Sequence, residues 1–299
     1  MNTNVETYTE WRDYYELTKP RVVVLIVFTA VVGMFLSVPG FPDPVALIFG
    51  TIGIGFAASS AAVYNHVLDH RIDIIMMRTM GRPLPQGKLT ARSALTFATG
   101  LCILSMLILW FLVNPLTAVL TFISLIGYAV VYTAFLKRAT PQNIVIGGAA
   151  GAAPPLLGWA AITNEVTSGA LLLFLIIFVW TPPHFWALAI ARKEDYAKAD
   201  IPMLPVTHGD DYTRLNILVY TILLVAITVI PYLTGMSGLI YLATALVLGA
   251  RFLHFAIRMR RTPDDVELPM LTFRYSINYL GILFAALLID HYFLFRLNL

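Results

Sequence analysis

Charge and cysteine are both scarce in this chain. Only 12% of its 299 residues are Asp, Glu, Lys or Arg, about half the share usual in soluble globular proteins. With 59% hydrophobic residues and a mean hydropathy of +0.78, most of the surface has lipid as its solvent. The single cysteine, Cys102, lies inside an apolar stretch, which excludes an intrachain disulfide and a cysteine metal cluster. A secretory signal is not expected either. Residues 1–20 mix Glu6, Glu10, Asp13 and Glu16 with Arg12 and Lys19, without the basic start and small-residue cleavage pattern of such a signal. They read as a retained tail. No Ser or Cys arrangement suggests a covalent nucleophile, and a nucleic-acid partner is not expected.

What is abundant is long apolar sequence. A hydrocarbon core of about 30 Å is spanned by roughly 20 apolar helical residues. Nine segments qualify: 22–38, 45–64, 94–113, 116–136, 143–162, 169–190, 215–234, 237–256 and 276–295. They are too long and too uniformly apolar for barrel strands. The expectation is an all-α, polytopic transmembrane bundle forming a single domain, 1–299. Of twenty Lys and Arg, all but Arg296 fall in the N-terminal tail, at the matching end of span 8 (Arg251), or in the loops after spans 2, 4, 6 and 8. The positive-inside rule then places the N-terminus in the cytoplasm and the C-terminus outside. The two long polar loops, 65–93 and 191–214, face the cytoplasm on this reading, so function is expected there.

The first loop opens on Asn65-His66-Val67-Leu68-Asp69-His70-Arg71-Ile72-Asp73. Asn65, Asp69 and Asp73 recur every four residues, which stacks them on one face if span 2 continues as a helix. Two carboxylates so placed repel each other unless a cation lies between them. Their hard oxygens suit Mg²⁺, which completes its shell with water and phosphate oxygens. His66 and His70 are expected off that face. Arg78, Arg82 and Lys88 follow. Guanidinium groups fork onto phosphate, so an anion carried by metal and bearing an oily tail fits the set. Solvated loop charge is the plainer alternative.

Span 6 ends in Trp180-Thr181-Pro182-Pro183-His184-Phe185-Trp186. The double proline removes backbone donors and is expected to kink or open the helix. His184, with Trp186, fits either a contact to a planar ligand such as an iron porphyrin or an aromatic belt with a backbone-bonded histidine. Lys193 and Asp195 could supply a second diphosphate or metal contact, or be ordinary charge beside the membrane. Lys137, Arg138 and the Lys19-Pro20-Arg21 start of span 1 could neutralise phosphate. The Gly147-Gly148 stretch reads as close helix packing. Asp290 and His291, near the outer end of span 9, are expected to be solvated.

The Asn-x₃-Asp-x₃-Asp pattern resembles the first aspartate-rich motif of the intramembrane aromatic prenyltransferase superfamily. Several stretches look like its haem-farnesylating branch: Leu17–Arg21, Arg78-Thr79 with Arg82–Pro85, Leu136–Arg138 with Thr140–Asn143, and Pro183–Trp186. Lys193–Tyr196, Ile201–Pro205 and Tyr275–Ile277 continue the match. The superfamily's second motif usually has Asp-x₃-Asp. Here Ala199 stands four residues after Asp195, and Asp200 comes one late.

The resemblance implies farnesyl diphosphate as donor, haem b as acceptor and Mg²⁺ as cofactor, in a multi-pass protein of the cell inner membrane. It implies catalytic roles for Asn65, Asp69, Asp73, Arg78, Lys193 and Asp195, with Arg78, Arg82, Lys137, Arg138 and Lys193 on the diphosphate. His184 and Trp186 would meet the haem. Haem A synthase or a terminal oxidase would be a partner. A related enzyme acting on a quinone precursor is the nearest rival, and a lipid or anion transporter the distant one. Transporters tend to carry their ionisable groups near the bilayer midplane, whereas the charge here gathers at one face.

Overall fold

The computed structural model describes residues 10–293. Residues 1–9 of the tail, Arg296 and the end of the ninth expected span lie outside the described residues. The described residues form helices and turns, without strands. In chain order the helices are α1 (Trp11–Leu17), α2 (Pro20–Leu36), α3 (Pro44–Leu68), α4 (His70–Asp73), α5 (Ala91–Leu112) and α6 (Pro115–Ile126). A π-helix (Gly127–Leu136) continues α6 into α7 (Lys137–Ala139). There follow α8 (Asn143–Ala152), α9 (Pro154–Thr163), α10 (Ser168–Ala191), α11 (Lys193–Lys198), α12 (Leu204–Thr207), α13 (Gly209–Leu233), α14 (Leu239–Arg261) and α15 (Leu268–Tyr292).

Among the described residues, eight helical stretches, counting α6 through α7 and α8 with α9 as one each, are long and apolar enough to cross a membrane, and the bent pair α1–α2, with 53° between its parts, makes up to nine. The chain is a multi-pass integral membrane protein. Its helix starts follow local chemistry. Asp43 accepts the amide of Ala46 at 2.8 Å ahead of Pro44, and Asn114 that of Thr117 at 2.8 Å ahead of Pro115. Both are caps placed before an N1 proline. Asn114 also donates to the Ala160 carbonyl at 2.9 Å, which ties the short α5–α6 turn to α9.

The packing runs as a closed circuit. Helix α3 lies on α5 and α2, and α2 on α9. Helix α10 meets α8, α13 and α15, α13 meets α14, α14 meets α15, and α15 returns to α2. The α2–α9 seam has no side-chain layer at its centre. A methyl group at Gly33 would overlap the carbonyl oxygen of Pro155, and one at Gly158 that of Ala30. Large apolar side chains such as Ile48, Ile103, Phe111, Phe122, Leu223 and Val247 face outward, as a lipid-solvated surface requires.

Three expectations change here. Helix α10 is not opened by Pro182 and Pro183 but runs through as one element. It is enclosed by α8, α9, α13 and α15, and neighbours of this kind hold a proline-bearing span together. The last span begins at Leu268, eight residues before the expected 276: Leu268 packs against the second polar loop, and Thr272, one turn on, is buried as well. Asp290 is fully buried rather than solvated. Its carboxylate accepts the amides of Gly238, Ile240 and Tyr241 and so caps the start of α14.

Candidate active site

Helix α3 ends at Leu68, and Asp69, at φ −87° and ψ 1°, interrupts it before α4. The expected unbroken helix is therefore broken in its middle. The i to i+4 ladder nevertheless carries across: the Asp69 amide donates to Asn65 O at 2.9 Å, and the Asp73 amide to Asp69 O at 2.8 Å. Asn65, Asp69 and Asp73 thus stay in one row, and all three are buried.

A cation from a separate part of the chain meets each of them. Lys19 Nζ donates to Asn65 Oδ1 at 2.5 Å, Lys137 Nζ to Asp69 Oδ2 at 2.6 Å, and Arg82 Nη1 to Asp73 Oδ2 at 2.6 Å. Asn65 Nδ2 donates to Asp69 Oδ2 at 2.8 Å. Three cations face two carboxylates, so the cluster is poised for further negative charge. Burial, and then the neighbouring Arg82, push the Lys19 ammonium down to about 7. Asp69 Oδ1 is buried and has no protein partner among the described residues.

Local folding aims these groups. Lys19 occupies the left-handed region, at φ 51°, in the break between α1 and α2, an uncommon state for a residue with a Cβ. The π-helix adds a residue per turn. Thr133 Oγ1 then reaches the Tyr128 carbonyl five residues back at 2.9 Å and lies 3.3 Å from Asn65 Nδ2. Lys137 follows directly. Gly147 gives Tyr132 room, since a Cβ there would overlap its ring. Thr79 is buried and donates to the Asp73 carbonyl at 3.1 Å. Leu84 and Leu89, buried with Leu17 and Val63, anchor the rest of the first loop.

The second polar loop packs over the first. Tyr196, Ile201 and Met203 share a cluster with Ile72, Met76 and Trp186, and Arg78, itself exposed, lies beside the Tyr196 hydroxyl. Lys193 is turned to Asp210 at 2.9 Å. Asp195 is buried in α11, and Arg138 is exposed. None of these three has a recorded bond to the acidic row among the described residues.

His184 and Trp186 are separated by the turn of α10. The His184 ring stacks between Trp180 at 4.2 Å and Phe273 at 4.6 Å, with Nδ1 2.6 Å from Ser276 Oγ. Its partner is a side chain, not the backbone. Trp186 packs edge-on to Tyr220, and its indole N–H has no partner among the described residues.

Sequence reasoning missed Thr133, Ser276 and His66. His66 is buried, with Nδ1 3.9 Å from Asp73 Oδ2, and is not off the acidic face as expected. A spacing of seven residues falls only about 20° short of two full helical turns, which was the available signal.

Residues 26–278 match the UbiA prenyltransferase family. The chain belongs to that family. A UbiA-type fold is also what the solved structures show. A digeranylgeranylglyceryl phosphate synthase superposes with a TM-score of 0.78 at 19% identity, covering 94% of this chain and 98% of that one. A UbiA homolog from Archaeoglobus fulgidus bound to DMAPP and Mg²⁺ gives 0.61 at 14% identity, covering 91% and 99%. Among sequence relatives, the protoheme IX farnesyltransferase of Nitrosococcus oceani is 60% identical over 284 residues, 95% of either chain.

Proposed function

We propose that this UbiA-family protein transfers a farnesyl group from farnesyl diphosphate to a vinyl group of haem b, with addition of water, to give haem O and diphosphate. The observation that carries the reading is the buried Asn65–Asp69–Asp73 row met by Lys19, Lys137 and Arg82. The relative at 60% identity, named for this reaction, supplies the substrates.

Asn65, Asp69 and Asp73 would hold Mg²⁺. Two carboxylates and an amide are a hard-oxygen set, and Asp69 Oδ1, which accepts from no group among the described residues, has lone pairs free for a cation. Bound there, the ion supplies positive charge to the leaving diphosphate. Lys19, Lys137 and Arg82 sit on long side chains, so they can turn from the carboxylates to the phosphate oxygens. Arg78 would join them from the loop edge, with Lys193 and Arg138 further out, while Asp195, a carboxylate, would meet the diphosphate only through a cation.

Neutralising the diphosphate weakens the allylic carbon–oxygen bond, whose electron pair leaves with the phosphate. The vinyl π electrons form the new carbon–carbon bond. Water adds to the cation left beside the pyrrole and loses a proton, giving the hydroxyl group. A bundle this apolar keeps water from the first cation. His184 would meet the haem through Nε2, its Nδ1 being held by Ser276, while Trp186 would border the acceptor from α10. We read the molecule as one domain in the inner membrane, with its N-terminus and both polar loops in the cytoplasm.

Mass spectrometry of haem extracted after incubation with haem b, farnesyl diphosphate and Mg²⁺, beside an EDTA control, tests the reading. A metal-dependent gain of one farnesyl and one hydroxyl group is expected. Unchanged haem with folded protein would overturn the acceptor assignment.

A further inference from the structure

His66 lies in the last turn of α3, one residue beyond Asn65. The residue is 2% exposed, and neither ring nitrogen has a hydrogen-bond partner among the described residues. Buried polar groups are nearly always paired, and one that is not calls for a reason. Both nitrogens of one imidazole are orphaned here, within the most polar enclosure of the molecule. Bland packing would be served better by Leu or Phe, which carry no such penalty.

The ring's position narrows what could satisfy it. Nδ1 stands 3.9 Å from Asp73 Oδ2, too far for a direct hydrogen bond. Asp73 Oδ2 already accepts from Arg82 at 2.6 Å. Lys19 and Arg82 are the cations whose charge reaches the imidazole, and neither, when charged, can accept a hydrogen bond. The missing partner must therefore be able to accept, donate or both, and must be small enough to stand beside Asp73. Water fits these terms. A Mg²⁺ ion held by a few protein oxygens retains several waters, and residues that grip such outer groups tune metal affinity.

We propose that His66 is a positioning residue that hydrogen-bonds a water of the cation's shell on the Asp73 side, and so fixes how tightly the ion is held. The inference rests on the assignment of Asn65, Asp69 and Asp73 to Mg²⁺. A neutral imidazole offers one donor and one acceptor, so it can orient such a water while Asp73 stays on the ion. The expected signature is metal affinity, with the chain's fold unchanged.

The test is Mn²⁺ binding, read by electron paramagnetic resonance on the full chain in nanodiscs, for wild type, His66→Phe, His66→Gln and Asp69→Ala. His66→Phe should weaken binding on the order of tenfold. His66→Gln, which keeps a donor and an acceptor, should recover most of that loss. Ion affinity equal to wild type in His66→Phe would overturn the proposal, as would equal loss in His66→Phe and His66→Gln. Should His66→Phe fail to insert, His66→Ala replaces it under the same criteria. Binding unaffected by Asp69→Ala would remove the metal assignment itself, an outcome distinct from failure of the His66 role.

Discussion

Asp69 and Asp290 are both buried carboxylates in a membrane-spanning bundle, and they are satisfied in opposite ways. Asp290 accepts three backbone amides at the start of α14. Those donors are fixed by the helix and cannot leave. Asp69 is held by the ammonium of Lys137 and the amide of Asn65, with one oxygen left over. Its partners are side chains that can turn elsewhere. A carboxylate bound by backbone is a fixture of the fold. One bound by long cationic side chains, with spare valence, is a place for exchange. Burial alone does not separate the two; the identity of the donors does.

That contrast breaks most readily on the exchange side. Asp69→Ala and Asp73→Ala should each lower turnover by at least 10²- to 10³-fold, while the proteins purify folded. Single-turnover assays beside circular dichroism check this, and near-normal rates would sink the metal row. Lys137→Met comes next. It strips the charge partner from a buried Asp69, and prenyl diphosphate affinity should drop roughly tenfold or more, as read by titration calorimetry.

On the fixture side, Asp290→Ala should leave turnover per folded molecule unaltered but lower stability by about 1–3 kcal/mol. Thermal unfolding in detergent would show it, and a loss of turnover without a loss of stability would erase the distinction. The smallest effect concerns pH. With the Lys19 ammonium at about 7, the free site is partly deprotonated at neutral pH, and a bound diphosphate favours the charged form. Affinity should therefore weaken as pH rises through 7, with proton uptake on binding. Lys19→Arg, always charged, should flatten that slope.

The spans were legible because lipid demands long apolar runs, and the acidic row because a period of four survives even the break at Asp69. Lys137 and Lys19 were named from the chain, but their pairing with Asp69 and Asn65 spans 68 and 46 residues. No local pattern encodes such contacts. The role of Asp290 was hidden for the same reason: its three amides lie 49–52 residues away. The double proline misled because its effect depends on what surrounds α10. His66 was misjudged by counting turns in fours rather than sevens, and nothing in Gly127–Leu136 announces a π-helix.

That π-helix makes the fourth span behave like a gear with one extra tooth. Substitutions along it change what its teeth carry, but the loss of a single residue early in the segment would turn everything beyond it by one residue's step. Thr133 and Lys137 would then swing away from Asn65 and Asp69 by about 100°, although every one of the remaining residues was still present. Descendants of this sequence can therefore drift in composition through this segment far more freely than in length. An alignment gap there would mark a changed chemistry more surely than any single replacement.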